Sequence, residues 1–138
     1  MDAQSILRQI RTREDLLNKL VQRLRAHSQV LSVRTDLSAR EYASGPMIEA
    51  YVECELTNGM AAAWTMDIAA KDGRWHMRSH LVANDTQGQF TLYEYPEEQI
   101  DNEDDALKKF EQAAKNACQL EEQIDRLSPF PETLHTLR

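Results

Sequence analysis

Apolar residues near the start of the chain recur at helical spacing. Ile6, Ile10, Leu17, Leu20, Val21 and Leu24 form one stripe, flanked by Leu7 and Leu16. Arg8, Arg11, Glu14, Lys19 and Arg25 fall mostly elsewhere on the wheel, so the pattern predicts an amphipathic helix over residues 4–27. Thr12 followed by Asp15 resembles a helix cap and admits a break near Arg11, but one continuous helix is the simpler expectation.

From residue 29 the period changes to two. Val30-Leu31-Ser32-Val33-Arg34 reads as a first strand, and the stretch from Asp36 to Pro46 as a loop, because Ser44-Gly45-Pro46 opposes a regular ladder. Ile48, Ala50, Val52, Cys54 and Leu56 then alternate with Glu49, Tyr51, Glu53 and Glu55, the clearest half-buried strand in the chain. The next turn is decided by facing. A two-residue Asn58-Gly59 turn would put Glu53 and Glu55 on the same face as Trp64 and Met66. A three-residue Thr57-Asn58-Gly59 loop instead aligns Leu56 with Met60, Val52 with Trp64 and Ile48 with Ile68. Asp72-Gly73 works as a two-residue hairpin, setting Ala70 against Trp75, Ile68 against Met77 and Trp64 against Leu81. After the loop Asn84–Gly88 a last strand runs from Phe90 to Tyr95, where Pro96 ends it.

Asp101, Glu103, Asp104 and Asp105 precede Leu107, Phe110, Ala114, Ala117, Cys118, Leu120, Ile124 and Leu127. Acids at its start complement a helix dipole, so a second long helix is expected over residues 102–127, stopped by Ser128-Pro129. Residues 129–138 are expected to form an extended arm. The predicted fold is a single α+β domain over residues 1–138, α-β-β-β-β-β-α. Its antiparallel meander of four to five strands carries both long helices on one face. Trp64, Trp75, Met66, Met77, Phe90 and Leu92 would point into that core, with Cys54 and Cys118 also inward.

Composition narrows the class. A length of 138 residues suits one domain that buries a core without metal or disulfide. The stretch MDAQSILRQIRTRED holds no apolar run long enough for a signal peptide, no segment approaches a membrane span, and a cytoplasmic location is expected. The net charge of −7 is unevenly spread. Residues 1–27 hold six basic and three acidic residues (+3), residues 28–95 five and nine (−4), and residues 96–126 four and ten (−6). An acidic body disfavours nucleic-acid phosphates and favours a basic protein partner, and without an apolar span no membrane partner is expected.

The sheet face opposite the helices holds the candidate chemistry. The deduced registers set Asp67 across from Arg78, near His76 and His80, with Tyr93 and Tyr95 emerging on the same side and Glu49, Tyr51, Glu53 and Glu55 at the other end. A metal is not expected: His76 and His80 stand about 13 Å apart along one strand at ~3.3 Å per residue, too far to share an ion. Catalysis is not expected either. An open sheet face offers no dry pocket for acid–base work, both cysteines read as inward, and the chain carries no GxSxG, P-loop or GxGxxG.

The expected function is non-catalytic protein binding without a cofactor, of a kind suited to a small acidic inhibitor or immunity-type protein. The expected contact residues are Glu49, Tyr51, Glu53, Asp67, His76, Arg78, His80, Tyr93 and Tyr95. The alternative is a small-ligand or single-stranded nucleic-acid binder. It would use the tyrosines as stacking platforms, or the arginines Arg8, Arg11, Arg13, Arg23 and Arg25 of the first helix. Leu7 and Leu16 beside the main stripe suggest apolar surface in excess of what the sheet covers, and hence a homodimer.

Overall fold

A computed structural model describes residues 1–127 of the chain. The elements in order are α1 (Ala3–Arg11), α2 (Asp15–Arg25), β1 (Val30–Tyr42), β2 (Gly45–Leu56), β3 (Ala61–Lys71), β4 (Arg74–Asp85), β5 (Gly88–Glu94), β6 (Glu98–Ile100), α3 (Glu103–Ala117) and α4 (Gln119–Leu127). Strands β1 to β5 form an antiparallel meander, and short β6 pairs with β4 beyond the end of β5. The four helices cover one face, which makes the fold α+β as the patterning predicts. The expected C-terminal arm at 129–138 lies outside the described residues.

The turn chemistry sets the registers. Leu56 donates its backbone N–H to Met60 O at 2.8 Å, and Asn58 Oδ1 accepts from Met60 N–H at 2.9 Å. Gly59 takes the left-handed conformation (φ +87°) that closes the three-residue loop. Val52 then faces Trp64 and Ile48 faces Ile68. Across the Asp72-Gly73 turn, Trp64 faces Leu81 and Ile68 faces Met77. Every one of these side chains is buried against Ile6, Ile10, Leu17, Leu20, Leu24, Phe110, Leu120 and Ile124 from the helices.

Each expected long helix is two. Thr12, Arg13 and Glu14 N–H groups bond to carbonyls three residues back, and Thr12 Oγ1 donates to Gln9 O at 2.6 Å. The break was encoded: a continuous stripe would need apolar residues at 13 and 14, and the chain has Arg13 and Glu14. The C-terminal helix breaks at Cys118, whose N–H bonds Lys115 O. That break turns Cys118 outward, so its expected burial is corrected, whereas Cys54 is buried as expected.

The segment 36–46, expected as a loop, is strand except for the Ala43-Ser44 turn. Thr35, Leu37 and Ala39 pair with Val52, Ala50 and Ile48, and β1 continues to Tyr42 opposite Gly45. Gly45 and Pro46 open β2, and the missing N–H of Pro46 falls on the β3 side beyond the last β2–β3 pair, Met47 opposite Ala69, so no ladder bond is lost. Leu7 is buried and Leu16 packs on the core, so the apolar excess that suggested a dimer is used within the chain.

The uneven charge pairs internally. Arg13 meets Glu111 at 3.3 Å, Arg23 meets Glu121 at 2.7 Å, and His27 Nε2 meets Asp125 at 2.7 Å. Because His27 Nδ1 accepts from Gln29 N–H at 3.0 Å, the ring proton sits on Nε2 and is donated to Asp125. The basic N-terminal helices and the acidic C-terminal ones thus complement each other across the helix layer.

Candidate functional site

No helix among the described residues covers the second face of the sheet. Directly opposed residues on antiparallel strands share a face, so the registers read out its cross-strand rows. One row is Ser38, Glu49, Asp67 and Arg78; the next is Asp36, Tyr51, Thr65, His80 and Glu94; a third is Arg34, Glu53, Ala63, Val82 and Thr91. Seven of the expected contact residues therefore gather here: Glu49, Tyr51, Glu53, Asp67, His76, Arg78 and His80.

Most of them are held by a neighbour. Arg78 donates to Asp67 from Nε at 3.1 Å and Nη2 at 3.3 Å. Arg34 donates to Glu53, and Tyr42 donates to Glu49. His80 Nε2 lies 3.0 Å from Thr65 Oγ1, and His76 Nδ1 lies 3.9 Å from Glu97. The Glu49 carboxylate accepting from Tyr42 pushes that phenol's pKa up from its ordinary value.

Tyr93 and Tyr95 do not belong to this face, a correction to the expected surface. A plain hairpin after Asp85 would set Tyr93 across from His80. The observed β4–β5 ladder slips by one residue at Leu92: Val82 faces Thr91, but Leu81 faces Tyr93. A one-residue slip reverses every side chain beyond it. Tyr93 therefore lies on the helix side, ring to ring with Tyr95 at 4.7 Å. Tyr95 Oη donates to Gln119 Oε1 at 2.6 Å and also lies 3.2 Å from Asn116 O, while partial burial pushes its pKa up. Phe90, expected in the core, lies beyond the helices' cover and is 41% exposed; Leu92 and Trp75 pack on the core edge as half-buried residues.

Sequence reasoning missed Tyr42, because it lay in the segment read as a loop. With Met47, Glu49, Tyr51, Thr65 and Asp67 it lines a shallow hollow of about 430 Å³ on the open face. Glu49 and Asp67 stand directly opposite each other in this hollow. Like charges in that position repel, and Arg78 reaches only Asp67 among their oxygens. The hollow combines two tyrosine rings with two adjacent carboxylates, a setting that attracts a cationic group through both charge and ring faces.

The buried Cys54 thiol is pushed up to about 12 by desolvation, with the neighbouring Glu53 charge adding to it, and stays protonated at neutral pH. Among the described residues no group of three or more metal-binding side chains converges. No helix there is long and apolar enough to cross a membrane. Compared with family models, with curated proteins and with solved structures, the chain finds no match.

Proposed function

We propose that this protein is a non-catalytic binding module of the cytoplasm that holds a protein partner on its open sheet face, as a small acidic inhibitor or immunity-type protein would. One observation carries the reading: Glu49 and Asp67 face each other in the hollow that Tyr42 and Tyr51 also line, with the guanidinium of Arg78 reaching only Asp67. A lysine or arginine of a basic partner, seated there, relieves the like-charge contact and stacks on tyrosine. The overall charge of −7 would speed its approach.

The nucleic-acid alternative draws less support. Arg11, Arg13 and Arg23 of the basic helices are engaged with Leu37 O, Glu111 and Glu121, and Tyr93 and Tyr95 are turned away from the open face. The carboxylates of that face would repel phosphates.

Affinity capture from lysate of the native host tests the reading with three baits: the native chain, Tyr51→Ala combined with Asp67→Asn, and Tyr93→Ala as a helix-side control. The partner recovered by the native chain is expected with the control and lost with the double variant. Equal recovery by all three baits rules the open face out.

A further inference from the structure

Among the described residues no strand pairs with the outer edge of the sheet over an unusual length, and the chemistry of that edge is self-complementary. β1 runs from Val30 to Tyr42 and, among the described residues, pairs with β2 alone. Leu56 points its N–H at β3, so alternate β2 residues Glu55, Glu53, Tyr51, Glu49 and Met47 point theirs at β1. Their partners Ser32, Arg34, Asp36, Ser38 and Arg40 point inward in turn. Val33, Thr35, Leu37, Ala39 and Glu41 point their N–H and C=O groups to the outer edge, away from β2, where no strand among the described residues meets them. Arg11 Nη2 donates to Leu37 O at 3.1 Å from the helix side, consistent with that carbonyl being unclaimed by β2.

An edge of this kind is a template for another strand. No proline interrupts it, and its one irregularity lies at the start, between Val30 and Ser32. Its open-face side chains alternate in sign: Arg34, Asp36, Ser38, Arg40 and Tyr42.

We propose that β1 pairs antiparallel with β1 of a second copy of this chain, about a two-fold axis at Ser38. Keeping the helices of both copies on one side requires each residue to face one of the same parity, which leaves few registers. Centred on Leu37, Arg34 would oppose Arg40; centred on Asp36, that carboxylate would oppose itself. Centred on Thr35, the pairing would run into the irregularity at Leu31. Centred on Ser38, Asp36 faces Arg40 of the other copy twice over, and Arg34 faces the ring of Tyr42. Leu37 and Ala39 exchange backbone hydrogen bonds across the axis. On the helix side Thr35 faces Glu41, which makes no ion pair within the described chain and comes within side-chain reach of the other copy's Arg11. The two open faces join into one continuous platform.

Sedimentation of the full chain across a dilution series tests this. The native protein is expected as a reversible dimer of twice the 15.9 kDa chain mass, weakened by salt. Asp36→Arg and Arg40→Asp, each of which puts like charges across the axis twice, are expected to raise the dissociation constant about tenfold or more. Combining the two restores pairing. Thermal melting of each variant separates loss of pairing from loss of fold. A native chain that sediments as a monomer at every concentration overturns the proposal. So does a dimer indifferent to both single reversals, or one weakened by Asp36→Arg but not by Arg40→Asp.

Discussion

Asp67 and Arg78 stand directly across the β3–β4 ladder, joined through both Nε and Nη2 of the guanidinium. The pair is partly solvated, with Arg78 57% exposed, so its coupling energy in a double-mutant cycle is expected to be modest, about 0.5–1 kcal/mol. Truncating the two ends is not equivalent. Arg78→Ala leaves Glu49 and Asp67 opposed without a guanidinium beside them, so denaturant unfolding is expected to show it as more destabilising than Asp67→Ala.

The displaced tyrosines give a prediction of the opposite kind. Tyr95→Phe removes the hydroxyl that reaches Gln119 and Asn116 at the α3–α4 junction, and is expected to cost about 1 kcal/mol of stability. Because that side chain lies on the helix side, partner capture by the variant is expected to be unchanged.

The two thiols are expected to differ in reactivity. Cys54 is buried and stays protonated, while Cys118 is exposed at the helix break. Alkylation of the native chain followed by peptide mass analysis should label Cys118 alone, and both residues only after unfolding.

Acid stability should carry the signature of Asp105. Its carboxylate accepts from Asp101 N–H at 2.9 Å and from Lys109 Nζ at 3.0 Å; the backbone bond is the main cause of its lowered pKa. A depressed pKa stabilises the fold above the ordinary value of 3.8, and that contribution is lost as pH falls below 3.8 through the lowered folded value. The side chain is half-buried and its partner Lys109 lies at the surface, so the effect is expected to be small. Asp105→Asn is expected to flatten this part of the pH–stability profile, followed by urea unfolding.

Much of the sheet was legible because turn residues and alternation agreed. Gly59 and Asp72-Gly73 fixed three strands in register, and the placement of Glu49, Tyr51, Glu53, Asp67, His76, Arg78 and His80 followed. Elsewhere local signals competed. The alternation of Leu37 and Ala39 with Asp36, Ser38 and Arg40 was present, but Gly45-Pro46 outweighed it and hid both the long edge strand and Tyr42. The slip at Leu92 carries no glycine or proline to announce it. Beyond it Tyr95 packs on the core and its hydroxyl reaches Asn116 of α3, tertiary contacts that no local pattern expresses. Cys118 was misplaced for a similar reason: its spacing suits one straight helix, and the break that exposes it accompanies the docking of α4 on β3.

Site-specific photo-crosslinking most directly tests whether the open face is the one that engages a partner. A benzophenone side chain placed at Glu55, on the open face, is expected to yield a covalent adduct with the captured partner. The same group at Lys115, on the outside of α3, is expected to yield none. An adduct from Lys115 with none from Glu55 would contradict the account.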